Sequence, residues 1–156
     1  MNPVATNHYG AAQPLPALLA ALSQRLPAYP GSLLCVAVLN VVVKPHLPDD
    51  VRAGLAGRHL RVRVSDAGVA FDFTWRGDGF AALHRSGVPD LEIGACARDF
   101  VSLAKREQDP DTLFFARRLS MEGDTELGLL VKNTLDAMEL PVTELGRQVL
   151  KRLLRQ

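Results

Sequence analysis

Asp109 and Asp111 are the first residues in this chain whose types and spacing invite a catalytic reading. Two carboxylates so close can divide general acid and base work when both face one substrate. Here they bracket Pro110, and Asp-Pro-Asp is ordinary turn chemistry, so backbone capping outweighs proton transfer. Arg117 and Arg118 could meet lipid phosphates or an acidic partner, but a solvated strand face, or salt bridges to Glu122 and Asp124, is the commoner outcome. His8, His46, His59 and His84 are scattered without ligand spacing, and Cys35 and Cys96 do not cluster with them, which argues against a metal. The chain has no nucleophile-elbow Gly-x-Ser-x-Gly, no glycine-rich phosphate loop and no dinucleotide fingerprint. The residues therefore predict a protein that is not an enzyme and holds no cofactor.

The formal net charge of +1 argues against nucleic acid as the main partner, since such proteins carry a basic excess. Both cysteines sit among apolar neighbours, as reduced core cysteines of an intracellular protein do. No basic start precedes an apolar run at the N-terminus, so no secretory signal is expected. Gly31 to Val43 is uncharged, but too short for the ~20 residues of a spanning helix. The expected location is cytoplasmic, with any membrane contact peripheral and reversible. The same segment could bury against a second copy as readily as against a bilayer.

These residues must be positioned by elements that the periodicity outlines. Residues 1–14 read as a flexible tail and 15–156 as one domain. Leu15 to Leu26 is helix-like, with Leu15, Leu18, Leu19 and Leu22 in one stripe. A second helix runs from about Ser32 to Val43 and ends before Pro45, and Leu47 to Leu55 is a short helical connector. The period then switches to two: Leu60, Val62 and Val64 alternate with Arg61, Arg63 and Ser65. Val69, Phe71, Phe73 and Trp75 follow after Asp66-Ala67-Gly68. Phe80 to Arg85 and Asp90 to Ala95 complete what reads as an antiparallel meander, apolar on the face that helices must cover.

The cover comes next. Ala97 to Glu107 is helical, with Phe100, Leu103 and Ala104 inward. Pro110 is read as ending any helix, and Ala116 to Met121 as a last strand. Asp124 caps a helix whose stripe is Leu127, Leu130, Val131, Thr134, Leu135 and Met138. Val142 to Leu154 forms a final helix, basic at its end. Phe71, Phe73 and Trp75 read as sheet core or as the wall of a ligand site. Phe114 and Phe115, adjacent in a strand or loop, cannot both face one core, so one of them faces a groove, a partner or a bilayer unless a short helix buries both.

One long ordered stretch carries a resemblance. Arg106, Asp109 to Phe115, Arg117 to Leu119, Glu122 to Gly128, Val131 to Asn133, Asp136 and Ala137 closely resemble the UbiT family of ubiquinone-biosynthesis accessory factors. Weaker similarity in strand pattern reaches back to about Leu33. The resemblance implies an α+β fold of the sterol-carrier-protein type: about five mainly antiparallel strands, one face covered by helices, enclosing an apolar cavity. It implies a non-catalytic carrier that holds a prenylated phenol or quinone, or a phospholipid, for oxygen-independent ubiquinone synthesis beside UbiU- and UbiV-like proteins at the inner membrane. The lipid-binding wall is then expected from Val69, Phe71, Phe73, Trp75, Leu91, Ile93, Phe100, Leu103, Leu113, Phe114, Phe115, Leu127, Leu130 and Val131. Asp109, Asp111, Arg117, Arg118, Glu122 and Asp124 are expected at the head group or a partner. The alternative is an interaction subunit with a filled core that holds a biosynthetic complex together without lipid. An enzyme acting on lipid or acyl groups is a third reading, disfavoured because the strand pattern places few polar groups inside.

Overall fold

The computed structural model describes residues 28–84 and 87–139, with Glu144, Arg147, Lys151 and Arg155. The expected tail, the helix from Leu15 to Leu26 and most of Val142 to Leu154 lie outside the described residues.

Helix α1 spans Ala28–Val42, starting ahead of Ser32. It is rich in valine, a β-branched residue of only moderate helix propensity, so its contacts with the sheet hold it. It packs along strands β2 (Val69–Arg76) and β3 (Gly79–Ala82). Pro45, which lacks an amide hydrogen, ends it in a 3-10 turn over Lys44–His46. The short helix α2 (Asp49–Leu55) buries Val51 and Leu55.

The sheet order is β3-β2-β1-β4-β5, where β1 is Leu60–Val64, β4 is Leu91–Ala95 and β5 is Leu119–Gly123. The meander expected from the turns holds only from β1 through β3. Strand β4 returns to pair parallel with β1, Leu60 opposite Leu91 and Val64 opposite Ala95. The third strand stops at Ala82 rather than Arg85. Ahead of β4, the Gly87 carbonyl accepts from Arg61 Nη2 at 3.3 Å.

Helix α3 (Ala97–Ala104) follows β4. Cys96 makes no side-chain cap there; Asp66 Oδ1 accepts from the Ala97 amide at 2.9 Å instead. Pro110 does not end a helix; it opens α4 (Pro110–Phe115), where its missing amide hydrogen costs nothing. Strand β5 begins at Leu119 rather than Ala116, because Arg117 has φ 59° and is not extended. Helix α5 (Thr125–Ala137) starts where expected, with Asp124 Oδ1 accepting from Leu127 N at 2.9 Å.

The helices cover one face of the sheet. Leu60, Phe73, Trp75, Phe80 and Leu91 are buried there with Val36, Val51, Leu55, Leu127 and Met138. The Trp75 and Phe80 rings meet edge to face, 5.0 Å apart at 88°. A second, smaller buried cluster of Ala95, Leu113 and Leu119 lies under α3 and α4.

Candidate functional site

Ile93 and Met121 pack against both buried clusters and are buried in neither. They sit at a seam. The strand register shows how far it runs: Phe71 pairs with Val62, Val62 with Ile93, and Ile93 with Met121. The four side chains form one transverse row across β2, β1, β4 and β5, on the helix-covered face, and all four are half-buried. On one side the next row, Phe73, Leu60 and Leu91, is closed to solvent. On the other, Ala95 and Leu119 are closed, while Val64 and Val69 of the same row are half-buried.

The cover beside the row is equally incomplete. Phe100 and Leu103 of α3, and Leu130 and Val131 of α5, are half-buried. Gly31 sits at one end of this row; a Cβ there would lie 2.8 Å from the Phe71 ring. The bare backbone lets α1 descend onto Phe71. The row offers aliphatic, thioether and aromatic surface with no charged group in it, which suits a hydrocarbon chain.

The expected wall residues fall into three sets. Phe73, Trp75, Leu91, Leu113 and Leu127 are fully buried core. Val69, Phe71, Ile93, Phe100, Leu103, Leu130 and Val131 are half-buried around the seam. Phe114 and Phe115 form neither strand nor loop: α4 buries Leu113 and leaves Phe114 42% and Phe115 81% exposed. Val62 and Met121 belong to the row and were not anticipated; only the cross-strand register links them. The enclosed apolar cavity of the sequence reading is not shown among the described residues, where the row is a half-covered surface.

The expected polar contact residues are mostly engaged in structure. Asp109 Oδ2 accepts from Thr112 N at 3.0 Å, and the Thr112 hydroxyl and amide hold its carboxyl below the usual range. Asp111 pairs with Lys132 at 2.5 Å, tying α4 to α5. Arg118 pairs with buried Asp99 and donates to Gln108 at 3.1 Å, not with Glu122 or Asp124. Asp124 pairs instead with Arg58 at 2.6 Å. Glu122 and Arg117 are exposed.

The opposite face is polar. Asp72, 1% exposed, accepts from Arg61 Nε at 2.8 Å and meets His59 Nε2 at 2.7 Å. A His–Asp dyad can serve a nucleophile, but among the described residues no hydroxyl or thiol is hydrogen-bonded to His59. Arg63 and Glu92 add a bidentate pair at 2.6 and 3.0 Å, which holds the Glu92 carboxyl below its ordinary range. A polar cleft of about 450 Å³ opens on the outer side of α3. It is lined by acidic Asp66 and Glu107 and basic Arg98, Lys105 and Arg118 among others, so charges of both signs face it. Cys35 and Cys96 are free and half-buried, and burial pushes the Cys35 thiol up to about 11.

The comparisons with known proteins fit this geometry. Residues 43–136 match the SCP-2 sterol transfer family. The ubiquinone biosynthesis accessory factor UbiT of Escherichia coli strain K12 is 44% identical over 103 residues, 66% of this chain and 59% of that protein. The chain thus spans less than two thirds of the length of the curated relatives it matches. A solved structure described as UbiJ-SCP2, a ubiquinone synthesis protein, superposes with a TM-score of 0.56 at 21% identity, covering 72% of this chain and all of that one. The sec-alkylsulfatase Pisa1 from Pseudomonas sp. superposes with a TM-score of 0.50 at 17% identity, covering 75% of this chain and 17% of its own. At these identities the two structures speak to fold alone.

Proposed function

The chain belongs to the SCP-2 sterol transfer family, and from that premise we propose that it is a non-catalytic lipid-binding accessory factor of ubiquinone biosynthesis. Its ligand is a prenylated phenol or quinone, or a phospholipid, whose tail lies along Phe71, Val62, Ile93 and Met121. The half-buried row carries this reading, because an apolar strip left incompletely covered between two closed clusters is what a hydrocarbon chain would complete. The 44% identity to the UbiT accessory factor supports the pathway.

The physics asks for no nucleophile. Each buried methylene is worth ~0.8 kcal/mol relative to water, so a five-carbon isoprene unit in water costs a few kcal/mol and a long tail far more. An apolar site matches the bilayer and makes extraction nearly neutral. The polar ring then stays at the mouth, where enzymes reach it. On this reading the ligand is held for the oxygen-independent route, beside UbiU- and UbiV-like proteins.

Delivery requires contact with the inner membrane. Helix α1 carries no charged residue, and Leu33, Leu34, Val38 and Val41 face outward, Leu34 being 68% exposed. Among the described residues no helix is long and apolar enough to cross a membrane. We therefore place α1 flat on the bilayer surface as a reversible contact. Phe115, exposed on α4, is the group best placed to meet a partner protein, which favours a docking role alongside carriage.

Ile93→Trp tests the site, since the larger ring occupies the row. Binding of a prenylated quinone should weaken about tenfold or more, about 1.4 kcal/mol, with the far-UV circular dichroism spectrum unchanged. Unaltered affinity in a folded variant would rule the row out as the ligand wall.

A further inference from the structure

Helix α5 is anchored unevenly along its length. Its start is fixed several times over. Asp124 caps it and pairs with Arg58 at 2.6 Å, and the Asp124 amide donates to the Asp90 carbonyl at 2.8 Å. Lys132 ties its middle to Asp111 of α4. Two glycines let it press close on its neighbours: a Cβ at Gly54 would lie 2.5 Å from Leu130 Cδ2, and one at Gly128 3.5 Å from Leu91 Cδ1. Beyond Lys132 such anchors thin out. The Thr134 hydroxyl donates to the Leu130 carbonyl of its own helix at 2.7 Å, a back-bond of the kind that bends helices. From Asn133 onward Met138 is the one buried side chain of α5 and its cap, and methionine is unbranched and repacks readily.

Arg106 holds that end. It stands just past α3 at φ 56°, where the chain turns out of the helix. Glu107 N donates to the Ser102 carbonyl at 2.9 Å, and Arg106 N to that of Leu103 at 3.1 Å. Glycine is the usual residue in such a left-handed position. Arg106 sends its guanidinium across to α5, where Nη1 donates to the Met138 carbonyl and Nη2 to the Asp136 carbonyl at 3.1 Å. Carbonyls at a helix end lack partners within the helix, and the negative end of the dipole favours a cation. Among the described residues no other hydrogen bond or ion pair joins α3 and its closing turn to α5. The two helices flank the row. Phe100 and Leu103 of α3 pack on the smaller buried cluster, Leu130 and Val131 of α5 on the larger, and Ile93 and Met121 between them touch both.

We infer that Arg106 is a strap across the cover of the row, and that its release lets the end of α5 swing away and opens the path by which a ligand enters and leaves. What passes rests on the carrier reading; the strap itself rests on Arg106 and α5 alone. Its chemistry suits a movable part. Both acceptors are neutral carbonyls and Arg106 is exposed to solvent, so water takes over the bonds when the guanidinium lets go. Arg106 belongs to neither buried cluster and to no part of the row. It therefore governs how often the cover opens and not what a ligand meets inside. Uptake and release speed up or slow down together, and affinity stays where it is.

Arg106→Gly tests the strap in the full chain. Glycine adopts the left-handed turn without steric cost, so α3 still ends as it does while the strap is gone. Arg106→Gln, too short to hold both carbonyls, is the second variant should the first fail to fold. Hydrogen exchange read by mass spectrometry needs no ligand. Amides of residues 135–138 should exchange about tenfold faster, about 1.4 kcal/mol of lost closure, with those of β1 and β4 unchanged. Stopped flow then follows a quinone with two isoprene units, which quenches Trp75, the chain's one tryptophan. Its association and dissociation rates should rise by the same factor and leave Kd nearly unchanged. Exchange at the end of α5 no faster than in native protein overturns the inference. So do transfer rates that stay the same, or a weakened Kd without faster association. Native protein that takes up no quinone fails at the carrier reading and takes the gate with it, whereas a failure confined to the Arg106 variants leaves that reading standing.

Discussion

Asn40 and Asp124 each satisfy backbone groups that would otherwise be orphaned, one at a sheet edge and one at a helix start. Replacing Asn40 by alanine removes two hydrogen bonds to Phe80 and should cost about 2 kcal/mol of stability at ~1 kcal/mol per bond, measurable by urea denaturation. Asp124→Ala should lower the melting temperature by roughly a few degrees. The Leu127 amide and Arg58 hold the Asp124 carboxyl below its ordinary range. A depressed carboxyl stabilises the fold above its unfolded pKa, and that contribution fades as pH falls through the folded value. The melting difference between native and Asp124→Ala protein should therefore be full at neutral pH and vanish in strong acid. Burial raises the Cys35 thiol to about 11, so its labelling by a thiol reagent should be slow at neutral pH and accelerate as pH rises. Asp124 was legible in the sequence because an N-cap acts three residues away. Asn40 was not, because its partner lies forty residues on in the chain and nothing local marks it.

Elements were legible where one local rule decided them. The alternation in β1 and β2 and the stripe of α5 stand in the structure as the periods predict. The parallel pairing of β1 with β4 depends on a long-range crossover that no turn dipeptide encodes. At Pro110 two rules compete, since proline ends one helix and begins the next, and Asp109 decides for the start. The row itself was legible only in part: Val62, Phe71 and Ile93 fall on apolar phases, but that they stand side by side and continue to Met121 follows only from the register. At this scale α1 makes its own prediction. Leu34→Ser with Val38→Ser, both on its exposed face, should reduce flotation with phospholipid vesicles severalfold and leave the melting temperature nearly unchanged. Undiminished flotation would remove α1 from the membrane contact.

Among the described residues the sheet has one polar face, where Asp72 and Arg61 are clamped together, and one apolar face on which two buried clusters flank a half-covered middle row. A protein that only joined partners would gain stability by closing that middle. Large half-buried apolar side chains retained in a row argue that something else completes their burial. Among the described residues no hydroxyl or thiol is hydrogen-bonded to His59, and carriage needs none. The most direct measurement is native mass spectrometry of the chain purified from its own host, before and after extraction with organic solvent. The account predicts an added mass of several hundred daltons, roughly that of a polyprenyl phenol, quinone or phospholipid at ~0.8 kcal/mol per sheltered methylene, which extraction removes and added prenyl quinone restores. Protein that carries only its own mass in every preparation, and takes up no prenyl quinone when offered it, would contradict the account.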